Sequence, residues 1–187
     1  MARTKEFNID DAIEKAIQVF RAKGYEGTSM QDLVDALGLS RSSIYETFGS
    51  KKDLYLSALD RYGDSTSESL TAVLYEAGPT RELLLRFFDK FIAHNTPHSC
   101  LMVNASLEMC DHADVSARVQ ASMAGNERAF YQLLTRAMSN GELKGSPNLR
   151  ALSKYLVNVR NGITVSASAM DRSSLDHIVK MSLTFLK

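Results

Sequence analysis

The chain has 187 residues, 44% hydrophobic and 24% charged, with 22 Lys and Arg balanced by 22 Asp and Glu. That composition fits a globular chain rather than a disordered one, and the zero formal charge leaves no global basic excess to advertise nucleic acid. The opening Met1–Asn8 has no apolar run, nothing approaches the ~18 apolar residues of a membrane span, and two cysteines are too few for a disulfide framework. The sequence therefore predicts a cytoplasmic chain.

In chain order, Ala12, Ile13, Ala16, Ile17 and Phe20 form a first helical stripe. Met30, Leu33, Val34 and Leu37 follow at i, i+3, i+4, i+7, with Thr28 or Ser29 as the cap and Gly38 to end the helix. Leu39 can plug the corner, and Ser40 caps a new helix. Two short helices joined by a three-residue turn containing glycine have the layout of a helix-turn-helix.

In that second helix only Ile44 and Phe48 need burial. Arg41, Ser42, Ser43, Tyr45, Glu46 and Thr47 stay on the other faces. Short hydroxyls let such a helix sink into a major groove, where they and Arg41 can meet base edges. Residues 1–62 carry a net charge of −1, so the argument rests on where cations sit. Arg41 lies in the first turn of its helix, and Lys51 and Lys52 open the next one. A helix dipole disfavours cations there, whereas an anion site for phosphate would use them. Asp53 compensates through a Ser50-x-x-Asp53 capping box.

Beyond this region, Leu54, Tyr55, Ala58, Leu59 and Tyr62 continue the helical periodicity. Gly78-Pro79 interrupts it, and Leu83, Leu84, Phe87, Phe88, Phe91 and Ile92 resume it. Joints follow at Pro97, at Asp111–Asp114 and at Gly145-Ser146-Pro147, with a stripe of Phe130, Leu133, Leu134, Ala137 and Met138 between the last two. The prediction is an all-α fold of about nine helices. Residues 1–50 form the helix-turn-helix unit, a connecting helix starts near 51, and residues 51–187 form a larger helical domain.

Phe88, Phe91, Met102, Met109, Met123, Phe130 and Tyr131 are candidate lining for a pocket that takes an apolar or aromatic effector. The same residues also suit a plain core. The last two helices, near 148–170 and 172–186, offer Leu156, Val159, Gly162, Ile163, Ser166, Ile178 and Leu183 for a dimer interface, or equally for an intramolecular core. No cofactor motif is present.

His94, His98, His112, Cys100 and Cys110 cluster within residues 94–112. His94-x3-His98-x-Cys100 fits no standard zinc pattern. On one straight helix Cys100 and Cys110 would stand ~15 Å apart, too far for a disulfide. A Cys–His enzyme finds no oxyanion site or orienting carboxylate at known spacing, so no enzyme is expected. A protein-binding helical adaptor would explain the corner but not three cations at helix starts.

Gly24-Tyr25-Glu26-Gly27-Thr28-Ser29, then Leu37-Gly38-Leu39-Ser40, then Ile44-Tyr45-x-x-Phe48-x-x-Lys51-x-x-Leu54 resembles the tetracycline-repressor family of bacterial regulators over roughly residues 8–60. The resemblance implies an all-helical homodimer that reads a near-palindromic double-stranded operator and acts as a repressor released by a small effector. Thr28, Tyr45 and Lys51 would contact phosphates. Arg41, Ser42 and Ser43 would approach bases, with Ser40 and Thr47 beside them. Some members carry a cysteine where Cys100 stands and sense electrophiles or oxidants, so a thiol switch at Cys100 is the alternative. Glu46 and Thr47 stand where many members have an aromatic and a His.

Overall fold

The computed structural model describes residues 7–95 and 100–187, apart from the side chains of Thr66 and Ser67. These residues form nine α-helices: α1 (Ile9–Lys23), α2 (Met30–Leu37), α3 (Arg41–Phe48), α4 (Lys51–Thr71), α5 (Thr80–His94), α6 (Leu101–Glu108), α7 (Ala113–Ser139), α8 (Leu149–Ser166) and α9 (Arg172–Ser182). A 3-10 turn (Ala72–Tyr75) extends α4, and the described extended pairing is a single antiparallel bridge between Leu143 and Leu186. The all-α expectation holds. The predicted joint at Pro97, with His98 beside it, lies outside the described residues.

Local chemistry sets the amino-terminal boundaries. Asn8 caps α1 by accepting from the Asp10 and Asp11 amides, with both acids in the first turn and Arg21 and Lys23 in the last. Ser29 and Asp32 form a reciprocal capping box on α2, and Ser50 and Asp53 form another on α4. Gly38 ends α2 at φ 68°, ψ 26°, the left-handed conformation that costs glycine little. The last two helices are shorter than their sequence stripes suggest: α8 ends at Ser166 and α9 at Ser182.

The apolar residues gather into two clusters. The larger joins the 3-10 turn, α5, the carboxy-terminal half of α7, α8 and α9, around Phe87, Phe88, Phe91 and Phe130. Phe87 meets Phe88 and Phe130 edge-on, with centroids 5.2 and 5.1 Å apart. The smaller cluster joins α1–α3 and the first half of α4 to Cys100, Leu101, Met102, Val103, Ala105 and Met109, and to Val115 and Val119 of α7. Thus α6 packs into the same core as the amino-terminal helices, and that core continues past residue 50.

Candidate nucleic-acid interface

α3 stands outward from its support. Ile44 is buried and Phe48 half-buried, while Arg41, Ser42, Tyr45, Glu46 and Thr47 are exposed and Ser43 is half-exposed. The Ser40 hydroxyl accepts from the Ser43 amide at 3.1 Å and lies 2.9 and 2.8 Å from the Ser42 and Ser43 hydroxyls. This hydroxyl cluster caps the helix without filling the space a base edge would take. The exposed Arg41 guanidinium lies 5.8 Å from the Tyr45 ring centroid, a loose contact. An outward, low-profile polar helix propped by a capped partner can enter a major groove.

The phosphate candidates divide. Tyr45 is exposed. Thr28 is 1% exposed and its hydroxyl donates to the Gly24 carbonyl at 2.6 Å, so the fold already uses that donor. Lys51 Nζ donates to the Tyr25 and Thr28 carbonyls, both at 2.8 Å, and sits 4.2 Å from the Tyr25 ring centroid. One of its three N–H groups remains for a phosphate. Lys52 pairs with Asp114 at the start of α7, at 2.8 Å, and holds that carboxyl below its usual range. Two of the three cations at helix starts therefore have partners within the fold. Helix position alone does not disclose such partners.

The residues expected to line one effector pocket do not converge. Phe88, Phe91 and Phe130 are fully buried in the larger core, whereas Met102, Met109 and Met123 belong to the smaller one and Tyr131 is exposed. Phe87, Phe88 and Phe130 pack ring against ring, while Phe88 and Tyr131 border two different surface depressions.

An open cleft of about 360 Å³ lies between α4 and α7, with Met102 of α6 in its wall. Gly63 and Gly125 face it, and a Cβ at Gly63 would already come within 3.0 Å of Met102. The absence of side chains at these places leaves the space between the helices unfilled. Asp60, Asp64 and Glu68 stand on the α4 side, Arg118 and Arg128 on the α7 side. Arg118 holds Asp60 in a two-pronged ion pair at 2.7 and 2.9 Å. The sequence reading did not anticipate this cleft, although two glycines inside helices, each costing ~1 kcal/mol of helix stability, were a usable signal.

At the amino-terminal end of α6, Cys100 is buried and Cys110, past the other end, is exposed. Arg160 Nη2 lies 4.0 Å from Cys100 Sγ, and the guanidinium rests 4.5 Å from the Phe91 ring centroid. Tyr62 hydroxyl and His94 Nε2 are 3.4 Å apart, and the His94 carbonyl accepts from Arg21 of α1 at 2.8 Å. Among the described residues no group of three or more His, Cys, Asp or Glu is arranged to hold a metal.

In the carboxy-terminal helices Leu156, Ile163 and Leu183 are buried in the subunit's own core and cannot form an outer face. Val159 and Ser166 are half-buried, and Gly162 and Ile178 are exposed. Exposed Tyr155 and Val165 share their side of α8, and Met181 joins Ile178 on α9.

A capped support helix, a glycine turn and a projecting polar helix define a helix-turn-helix DNA-binding protein. The sequence model of the family "Bacterial regulatory proteins, tetR family" matches residues 12–58. The chain is 35% identical to the uncharacterized HTH-type transcriptional regulator YezE of Bacillus subtilis, over the full length of both. It is 29% identical to the transcriptional repressor ComR of Escherichia coli, covering 99% of this chain and 90% of that one. A solved structure of the TetR family regulator CifR, a cysteine mutant bound to 26 bp operator DNA, superposes with a TM-score of 0.84 at 28% identity, covering 97% and 98% of the two chains. The chain belongs to the TetR family of bacterial transcriptional regulators. It is a DNA-binding transcriptional regulator.

Proposed function

We propose that the protein is a cytoplasmic homodimeric repressor that binds a near-palindromic operator and leaves it when a small effector enters the cleft between α4 and α7. The exposed face of α3 carries the DNA reading: Arg41, Ser42 and Ser43 address bases while Tyr45, Thr47 and the remaining donor of Lys51 address the backbone. Residues 1–50 read DNA; residues 51–187 bind effector and partner subunit. The surface of Tyr155, Gly162, Val165, Ile178 and Met181 receives a second copy, since it lays apolar and small residues across two neighbouring helices. Two α3 helices then address successive major grooves, and an effector that changes their separation releases the operator.

The cleft's charged walls favour an effector with polar as well as apolar groups, rather than a purely apolar one. Asp64 and Glu68 can accept from a cationic or donor group, and Leu59 and Met102 can cover an apolar part. Selection of bound DNA from a random pool, followed by a screen for compounds that release it, tests this reading. Binding should weaken steeply with salt. A protein that enriches no sequence would overturn it.

A second reading, release through modification of Cys100, is favoured by the buried Arg160 beside the thiol, whose Nε has no hydrogen-bond partner among the described residues. Hydrogen peroxide would transfer one oxygen to the thiolate, giving a sulfenic acid while its O–O bond breaks and the second oxygen leaves as water, and the guanidinium would donate to the new oxygen. Peroxide should then release DNA from the native chain and not from Cys100→Ser. Equal release from both removes this reading.

A further inference from the structure

The turn between α1 and α2 is held from both sides by opposite charges. Glu108, the last residue of α6, accepts from the Tyr25 amide at 2.6 Å and from the Glu26 amide at 3.3 Å through Oε2. Lys51, the first residue of α4, donates to the Tyr25 carbonyl at 2.8 Å and to the Thr28 carbonyl at 2.8 Å. The Tyr25 carbonyl and the Glu26 amide belong to one peptide unit. A carboxylate thus lies on its N–H and an ammonium on its C=O.

Such an arrangement polarises the peptide in one direction, so each charge strengthens the bond made by the other. Gly24 permits the approach: a Cβ there would sit 2.2 Å from Glu108 Oε1, and the backbone has φ +73°. Lys51 follows α3 with only Gly49 and Ser50 between, so its ammonium ties the α1–α2 turn to the start of α4, next to the end of the projecting helix. At its other end α6 begins beside buried Cys100, and Met102 in its first turn lines the α4–α7 cleft. The eight-residue α6 therefore spans from the cleft to this peptide.

We infer that Glu108 and Lys51 form a relay through the Tyr25–Glu26 peptide that ties the position of α6 to the orientation of α3, which makes Lys51 a positioning residue as well as a phosphate candidate. The inference rests on the reading of α3 as the DNA-contacting element. Displacement of α6 by a ligand in the cleft would withdraw the Glu108 carboxylate, weaken the Lys51 contacts and free α3 from the geometry that fits DNA.

The test uses the full chain with Glu108→Gln, Lys51→Met and the double variant, the first two being close in size to the native residues. Amide exchange is followed at Tyr25 and Glu26 in the free protein, and affinity is measured at one fixed salt concentration on DNA selected by the native chain. Exchange at the two amides should rise about tenfold in Glu108→Gln and severalfold in Lys51→Met, because loss of one charge weakens the other's bond. On DNA the double variant should be no weaker than the weaker single variant, within about twofold, as expected for two groups acting through one element. If Lys51 acts on phosphate alone, Lys51→Met leaves both amides protected and its affinity loss multiplies with that of Glu108→Gln; either result overturns the relay. Should a single variant melt far below the native chain, Glu108→Ala and Lys51→Gln replace it in the same comparison. Failure of the native chain to select DNA would sink the regulator reading, while the exchange measurement would still decide whether the two charges are coupled.

Discussion

Cys100 and Arg160 lie side by side in the interior, Sγ to Nη2 4.0 Å, and the guanidinium also donates through Nη1 to the Asn161 side chain at 3.1 Å. Arg160 is only 6% exposed. A cation taken out of water costs several kcal/mol unless charge or hydrogen bonds replace its hydration. The Phe91 ring offsets part of that cost, and the buried Nε adds to it. Arg160→Met keeps the packing against Phe91 and removes the charge. The expected outcome is no loss of stability, and a gain of up to ~2 kcal/mol, in denaturant unfolding of the reduced protein. A large loss would mean that the charge is compensated within the native fold.

His94 stands between Tyr62 of α4, Arg21 of α1 and Arg160 of α8. Burial lowers its pKa first, and the two guanidiniums lower it further. The unfolded chain therefore takes up a proton near pH 6.5 while the folded chain does not, until the pH reaches the depressed native value. Stability should fall as the pH drops from about 6.5 and level off below that native value. In His94→Gln this part of the slope should flatten, measured as denaturation midpoints between pH 7 and 5. An unchanged slope would assign it to other histidines.

Glycine conformation separates two positions in the same unit. Gly38 has φ +68° and open space where a side chain would begin, whereas Gly24 has φ +73° and the Glu108 carboxylate in that place. Gly38→Ala should cost ~1 kcal/mol, the backbone strain alone. Gly24→Ala should cost more and also expose the Tyr25 and Glu26 amides to exchange. Equal losses at the two sites would show that the carboxylate yields freely.

Local signals made the amino-terminal unit readable. Ser40, Gly38 and the Ile44–Phe48 spacing act within a few residues of themselves, so their roles survive without tertiary knowledge. Lys51 was visible as a cation at a helix start and as part of the family motif, but not as a donor within the fold; its carbonyl acceptors come from a turn more than twenty residues earlier, brought close by folding. The aromatic stripe of α5 has the same periodicity whether it lines a pocket or fills a core. Phe87 and Phe130 show that it fills the core, with rings packed edge to face. Leu156 and Ile163 face inward for the same reason: period alone does not say which side of α8 meets its own subunit. Glu108 and Arg21 gave no signal at all, because each is one polar residue near a helix end with a partner far along the chain.

On α3, charge and hydroxyl groups should divide into two kinds of effect. Arg41 has no ion-pair partner among the described residues, only the loose stack on Tyr45. Arg41→Ala should relax preference at particular bases by ~1–3 kcal/mol of discrimination. Ser43→Ala should act similarly but less, since its hydroxyl already shares the Ser40 cluster. Repeating the random-pool selection with each variant checks this. If both variants lose affinity equally on every sequence, these side chains contact the backbone instead.

Val165 is 61% exposed on α8 and Met181 71% exposed on α9. An aspartate at either place stays hydrated in an isolated subunit, so the monomer fold should tolerate it. In a dimer the same carboxylate would be buried, and symmetry would set two of them near the same axis. Val165→Asp and Met181→Asp should therefore shift sedimentation from dimer to monomer with little change in far-UV dichroism. Operator affinity should fall by about a hundredfold or more, because one subunit reads a single half-site and loses the effective concentration of its twin. Variants that stay dimeric and bind normally would place the subunit contact on another face.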